Sequence, residues 1–369
     1  MKKITAIFLA LAMAPALTLC AQTAQKKTAA PAKKPASAAK PAARAAAAKP
    51  VAKPGVAVST SAAKPAAKPA AAAPEAAQPA TPFDEAVQKL KSADPSVRRQ
   101  GAAWLSQARD PKAAPYLVKA LDDESSWVRQ SAADGLGLLV WRAASPKLAA
   151  MLTGDKDAAV RQQAAISLSY LMDPAAGQAL MKALNDEAPA VRYAALHTLG
   201  AMRYQPAEDT LAGLLKSDDP NMRRGAISAL GQMKSTKATA ALTAAISDGD
   251  VYARLEAIKA VGDIGEASAA PSLKKLLDKS QEPMIRVEAA LALAKLGRDD
   301  GLVTAFEYVK SQDIGLKNQA LNVVGMVGDA HSLQYVEEMY AAEQDPTTKG
   351  MLDFTRQRLQ ARLKQQQKK

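Results

Sequence analysis

Cysteine is almost absent from this chain: Cys20 stands alone, which excludes an internal disulfide framework and any cysteine-rich metal cluster. Histidine is nearly as scarce. His197 and His331 are the only two, too isolated to supply the ligand set of an ordinary zinc or iron site. Aromatic residues make up only 4% of the sequence, so no large aromatic cluster marks a binding hot spot. There is no Gly-rich phosphate loop and no Gly-Lys-Ser/Thr phrase, and neither a Ser-His-Asp nor a Cys-His arrangement has its parts. Carboxylate pairs such as Asp122-Asp123, Asp218-Asp219 and Asp299-Asp300 fall where turns are expected and read more simply as turn and cap groups than as acid–base pairs. The expectation is a protein that is not an enzyme, with no catalytic, cofactor-binding or metal-binding residues.

The net charge of +13 suggests nucleic acid until it is located. Residues 22–81 carry ten Lys/Arg and one Glu, and residues 356–369 add six more basic groups. The stretch between, 82–355, holds 31 basic and 35 acidic residues. A folded domain that neutralises phosphates carries its own basic stripe; here the basicity belongs to the ends, which argues against a nucleic-acid partner for the folded part.

Three segments follow one another. Lys2 and Lys3 precede an apolar run from Ile4 to Leu19, broken only by Thr5, Pro15 and Thr18, with Cys20-Ala21 behind it. That is the pattern of a secretory signal peptide over 1–21, and it implies a periplasmic or secreted protein. Leu17-Thr18-Leu19-Cys20 resembles a bacterial lipoprotein box, although Leu19 departs from the small residue usual there. Cys20 is therefore a lipidation candidate, which would anchor the protein to a membrane; cleavage after Ala21 would discard it. Residues 22–81 are Ala, Pro and Lys with almost nothing to bury, and are expected to form a disordered linker. Its charge makes an anionic envelope surface a candidate contact. As in histone-tail-like sequences, nucleic acid is the other tail-mediated reading if the signal is not one.

From Pro82 the sequence repeats. An apolar residue followed by arginine recurs as Val97-Arg98, Val128-Arg129, Val160-Arg161, Val191-Arg192 and Met222-Arg223, then as Ala253-Arg254, Ile285-Arg286 and Leu316-Lys317. The spacing is 31 or 32 residues throughout, which means a stacked array. Four residues before each anchor stand Asp94, Ser125, Asp157, Asp219, Asp250 and Asp313, with Ala188 and Glu282 as weaker versions, and proline often follows. These are helix N-caps and first helical positions. Apolar or small residues at offsets −1, +3, +4 and +7 then define one helical face. At +3 only Gly101 or alanine occurs, which predicts close approach of neighbouring helices. Glycines such as Gly137, Gly200 and Gly231 are expected to end this first helix, and a second helix follows. Asp345-Pro346 opens a last helix whose Leu352, Leu359 and Leu363 are expected to cover the end of the stack.

The phrase Asp219-Pro220-Asn221-Met222-Arg223 through Gly231 resembles the HEAT-like repeats of phycobilin lyases and of many bacterial proteins. The resemblance covers 82 to about 342. The fold expected is all-α, an α-solenoid of about eight HEAT-like hairpins over 82–344, with a capping helix and basic tail over 345–369. In such families the recurrent arginine pairs with acids of the inter-repeat turn, for which Asp94, Asp157, Asp219 and Asp250 offer themselves. Deoxyhypusine hydroxylase is similar in scaffold and holds iron through His-Glu pairs, which His197-Thr198 and His331-Ser332 do not provide. The resemblance implies a surface for a protein partner lined by second helices, with a lyase-like enzyme as the alternative. At offset +21 on those helices lie Lys119, Lys182, Lys275, Glu307 and Glu338, the partner-binding candidates, basic early and acidic late. Trp104, Trp127 and Trp141 either mark a contact patch or fill the hydrophobic end.

Overall fold

The computed structural model describes residues 81–367. The expected signal peptide over 1–21, Cys20 and nearly all of the Ala/Pro/Lys segment lie outside the described residues, and no helix among those described is long and apolar enough to cross a membrane.

All regular structure among the described residues is helical. A short α1 (Pro82–Lys89) precedes eight hairpins: α2 (Pro95–Ala108) with α3 (Ala114–Ala120), α4 (Ser126–Leu138) with α5 (Ser145–Gly154), α6 (Ala158–Leu171) with α7 (Gly177–Ala183), α8 (Pro189–Ala201) with α9 (Glu208–Leu214), α10 (Pro220–Met233) with α11 (Thr239–Ala245), α12 (Val251–Ile264) with α13 (Ala270–Lys275), α14 (Pro283–Lys295) with α15 (Leu302–Tyr308), and α16 (Ile314–Val327) with α17 (Ala330–Ala342). A final α18 (Pro346–Gln366) lies across α16 and α17. Every hairpin begins with the helix that carries an anchor residue, and the eight predicted hairpins are all present.

All eight residues four before an anchor occupy the N-cap position with extended backbone. Asp94, Asp157, Asp219, Asp250 and Asp313 accept a hydrogen bond from a backbone N–H of the first turn, satisfying a donor the helix itself leaves open. Ser125 sits at the cap without making that bond; its own N–H donates to Asp123 Oδ1 at 2.9 Å, as those of Asp157 and Asp250 do to Asp155 and Asp248. Asp345 caps α18 as expected. Leu352 and Leu359 are fully buried beneath that helix, whereas Leu363 near its end is only half-buried.

The core is a strip of leucine, valine, isoleucine and alanine running between the two layers of helices. The alanines at offset +3, from Ala132 to Ala320, are fully buried. A Cβ on Gly101 would lie 2.6 Å from the carbonyl oxygen of Ala86, so α1 can seat on α2 only because that residue is glycine.

The glycines expected to end the first helices do something else. Gly137, Gly200, Gly231, Gly262 and Gly325 all lie inside their helices. A Cβ at Gly200 would sit 2.7 Å from Cα of Ala229, one at Gly231 2.8 Å from Cβ of Ala260, and one at Gly262 2.8 Å from Cα of Ala292. Gly137, Gly200, Gly231 and Gly262 are contact glycines that let one anchor helix press on the next, and Gly325 meets Thr355 and Arg358 of α18. The real helix stop is three residues further on, at offset +11, where the backbone turns left-handed in seven of the eight hairpins.

Candidate interaction surface

The pairing of the recurrent arginines decides which charged groups remain available. Arg98 donates Nε and Nη2 to Asp123 at 2.8 and 2.9 Å. Arg129 reaches Asp155 at 2.7 and 2.8 Å, Arg161 reaches Asp186 at 2.8 and 2.9 Å, and Arg223 reaches Asp248 at 2.8 and 2.9 Å. These are two-point, charge-assisted bonds between a guanidinium and a carboxylate of the next inter-repeat turn. The partner acids are thus Asp123, Asp155, Asp186 and Asp248, not the cap aspartates Asp94, Asp157, Asp219 and Asp250. Cap aspartates are turned into their own helix starts; the aspartate two residues ahead of the next cap faces back across the repeat boundary.

Each partner aspartate also serves the following repeat. The peptide carbonyls of Asp123, Asp155, Asp186 and Asp248 accept Nη1 of Arg129, Arg161, Arg192 and Arg254 at 2.9 to 3.1 Å. The result is a ladder in which one turn binds the arginine behind it by its side chain and the arginine ahead by its backbone. Asp186 and Asp248 are held below the usual carboxylate range first by the arginine hydrogen bond. Burial pushes Asp123 and Asp155 up, but their bonds to Arg98 and Arg129 outweigh it and both also end low. Asp300 is pulled down to about 2 by Arg298 and Lys274.

The ladder fails where serine replaces aspartate six residues before an anchor, at Ser217 and Ser280. Beside its carbonyl bonds, Arg192 then has as carboxylate, among the described residues, only Asp219 at 3.9 Å, and Arg254 only Glu282 at 3.3 Å. In the next repeat, with Ser311 in that slot, Arg286 turns to Glu307 at 2.8 Å and to the Tyr308 hydroxyl at 2.8 Å. This alters one partner-binding candidate. Glu307 takes over the missing aspartate's role and is not a free acid for docking.

Lys119, Lys182, Lys275 and Glu338 project into solvent from α3, α7, α13 and α17; Glu338 accepts a bond from Gln334 one turn away. His197 and His331 are both exposed, and no group of His, Cys, Asp and Glu among the described residues is placed to hold a metal ion. The tryptophans do not form one patch. Trp104 meets Phe83 of α1 edge-on at 6.4 Å, Trp127 is 59% exposed beneath the Arg99 guanidinium, and Trp141 is half-buried against the core.

The two layers are packed unequally. Each anchor helix lies against the next along the whole stack, from α2 on α4 to α14 on α16, whereas among the second helices only α5 and α7 pack closely together. The contact glycines draw the anchor layer tight.

Two clefts open on this framework. One of about 560 Å³ lies at the ladder, lined by Asp122, Asp123, Arg129, Lys147 and Asp155 among others; Lys147 is paired there with Asp122, Arg129 with Asp155, and Asp123 with Arg98. The other, about 240 Å³, lies on the anchor layer between α10 and α12, with Arg203, Lys234 and Lys259 on its rim facing Glu256 and Asp263.

Stacked helical hairpins with a common offset, stapled turn to turn by arginine and aspartate, define an α-solenoid of the repeat class. The HEAT-repeat family model matches residues 83–169, 145–220 and 207–291, together more than half of the chain, and the chain belongs to that family. Among solved structures, the complex of CpcE and CpcF of phycocyanin lyase from Nostoc sp. PCC7120 is 26% identical, with 68% of this chain and 97% of that chain covered and a TM-score of 0.41. YibA of Escherichia coli is 18% identical over 73% of this chain and 98% of its own, with a TM-score of 0.49. Human deoxyhypusine hydroxylase in complex with glycerol is 21% identical over 66% and 95%, with a TM-score of 0.31. No curated protein matches the chain.

Proposed function

We propose that this protein is an exported, non-catalytic scaffold that holds a protein partner on the surface of its solenoid. The observation that carries the reading is the in-register stack. Eight repeats present the same offsets side by side, so recognition groups accumulate along a continuous face and not inside a single pocket. The recurrent charged residues support it, because the ladder gives Arg98, Arg129, Arg161 and Arg223 a structural role. Export rests on Lys2-Lys3 and the apolar run to Leu19, and an anionic envelope surface fits the basic segment 22–81.

Intact mass of the mature protein, with fractionation of the cells that make it, tests the first half of this reading. A soluble chain lacking 1–21 is expected. A chain starting at a lipidated Cys20 would make the protein a membrane-anchored scaffold, and an uncut cytosolic chain would overturn export and favour nucleic acid as the partner of the tails. Chemical cross-linking of the mature chain in its own cells tests the second half. A stoichiometric protein adduct is expected. A coloured cofactor on the purified protein, with no adduct, would replace the scaffold by a lyase-like enzyme.

A further inference from the structure

At offset +11 the chain leaves each anchor helix in the left-handed region, and five of these residues are not glycine: Arg109, Val140, Met172, Arg203 and Lys234, all near φ +50°. That conformation costs an L-residue about 1 kcal/mol, and a β-branched valine is the least suited to it. The sixth and seventh hairpins make the same turn with Gly265 and Gly297, so the turn needs no side chain to form. Core burial does not offset the strain either, since Val140 is 49% exposed and Met172 43%. Tyr170, two residues before Met172 and 49% exposed, extends the same apolar ground. These groups are neighbours because α4 and α6 touch at Gly137 against Ser167, which sets offset +8 of one repeat against offset +6 of the next and so brings Val140 level with Tyr170.

The unpaired charge around this ground is of one sign. Arg109 precedes it by one repeat, and Arg203 and Lys234 follow in the next two, all exposed and none in an ion pair among the described residues. The acids along this edge are engaged: Asp110 and Asp173 accept the N–H groups of Lys112 and Ala175 at 2.9 and 3.0 Å, and Glu256 and Asp263, across the cleft from Arg203 and Lys234, pair with Lys259 and Lys295 at 4.0 and 2.7 Å. The anchor-layer edge from the first to the fifth repeat therefore reads basic, apolar, apolar, basic, basic. With helices stacked about 10 Å apart the row runs for roughly 40 Å, the reach of about a dozen extended residues.

We propose that this row, Arg109–Val140–Tyr170–Met172–Arg203–Lys234, is the docking strip for an extended segment of a partner protein that carries apolar side chains between acidic ones. Strain kept at solvent-exposed apolar residues is a signature of a contact site, and the flanking cations select the sign of the segment's charge. The inference rests on the scaffold reading and assigns it a face and a ligand chemistry.

The test uses a displayed library of random peptides panned on the full chain, with the selected peptides then measured by fluorescence anisotropy. Selected sequences are expected to place acidic residues on both sides of an apolar pair. Val140→Gly with Met172→Gly is expected to weaken their binding about tenfold or more while the melting temperature holds or rises, since glycine relieves the turn. Arg203→Glu with Lys234→Glu is expected to weaken it as well and to flatten its salt dependence. Unchanged binding by the glycine variant overturns the strip. Peptides lost instead on Lys119→Glu with Lys182→Glu would keep the scaffold and move its site to the second helices. A library with no enriched peptide would remove the peptide-holding scaffold together with the strip. An intact chain that sediments as a dimer and becomes monomeric in the glycine variant would assign the row to a second copy and overturn the acidic segment.

Discussion

The first three repeats and the last three solve the same mechanical problem differently. Between the first and the fourth hairpin, each boundary is closed by an arginine and an aspartate locked at two points, and the aspartate's own backbone holds the next arginine. Toward the C-terminus Ser280 and Ser311 occupy the aspartate slot. The boundary there is closed by improvised partners, Glu282 for Arg254 and Glu307 with Tyr308 for Arg286. The core also divides in this region, at α14, into a long cluster behind and a smaller one under the cap. A repeat fold tolerates such substitution because stability is a sum of local repeats and their interfaces. What each interface requires is that a buried guanidinium find some acceptor, not that the acceptor come from one fixed position.

The comparison breaks most sharply if a ladder aspartate is removed. Asp155→Ala leaves Arg129, only 7% exposed, without its carboxylate, and a loss of about 2 kcal/mol in unfolding free energy is expected. Glu282→Ala in the improvised half, where the Arg254 and Glu282 side chains are 25% and 63% exposed against 9% and 8% for Arg129 and Asp155, is expected to change the same denaturant titration far less. An equal loss in both would show that the two halves are not stapled differently. Gly200→Ala should come next, at about 1–2 kcal/mol, because its Cβ would meet Ala229 backbone and push α8 from α10. Ser217→Asp should act in the opposite direction, adding about 0.5–1 kcal/mol by restoring to half-exposed Arg192 the carboxylate its neighbours have; a drop in stability would show that serine is there for another reason.

Acid separates the halves more gently. Asp123, Asp155, Asp186 and Asp248 have folded-state affinities for protons below those of the unfolded chain. Their stabilisation is present above pH about 4, the ordinary carboxylate value, and is lost as pH falls through the lowered folded values. Hydrogen exchange at decreasing pH should therefore show the first repeats losing protection relative to neutral pH more than the region around α14. There Glu288 is shifted the other way, upward, chiefly by burial. Its neutral form is favoured by the fold, so Glu288→Gln is expected to raise stability slightly at neutral pH, the smallest of these effects.

Much of this protein was legible in its sequence, and the legible part is local. A cap aspartate acts on N–H groups within its own first turn, and the 31- or 32-residue period with its apolar offsets needs only helix geometry. So the eight hairpins, their starts and the closing helix could be written down from residues such as Asp94, Asp219 and Asp345. Partnerships across a boundary could not. Arg98 lies 25 residues from Asp123 and four from Asp94, and only the stacking of one hairpin on the next decides that the distant aspartate faces it. The same holds for Gly200, a plausible helix stop until Ala229 is seen beneath it. It holds too for Val140 and Met172, ordinary apolar residues until the turn sets them left-handed and half in solvent. Sequence determined the elements through forces acting within a few residues; tertiary structure decided the partners, because these depend on the offset between repeats, which no single repeat contains.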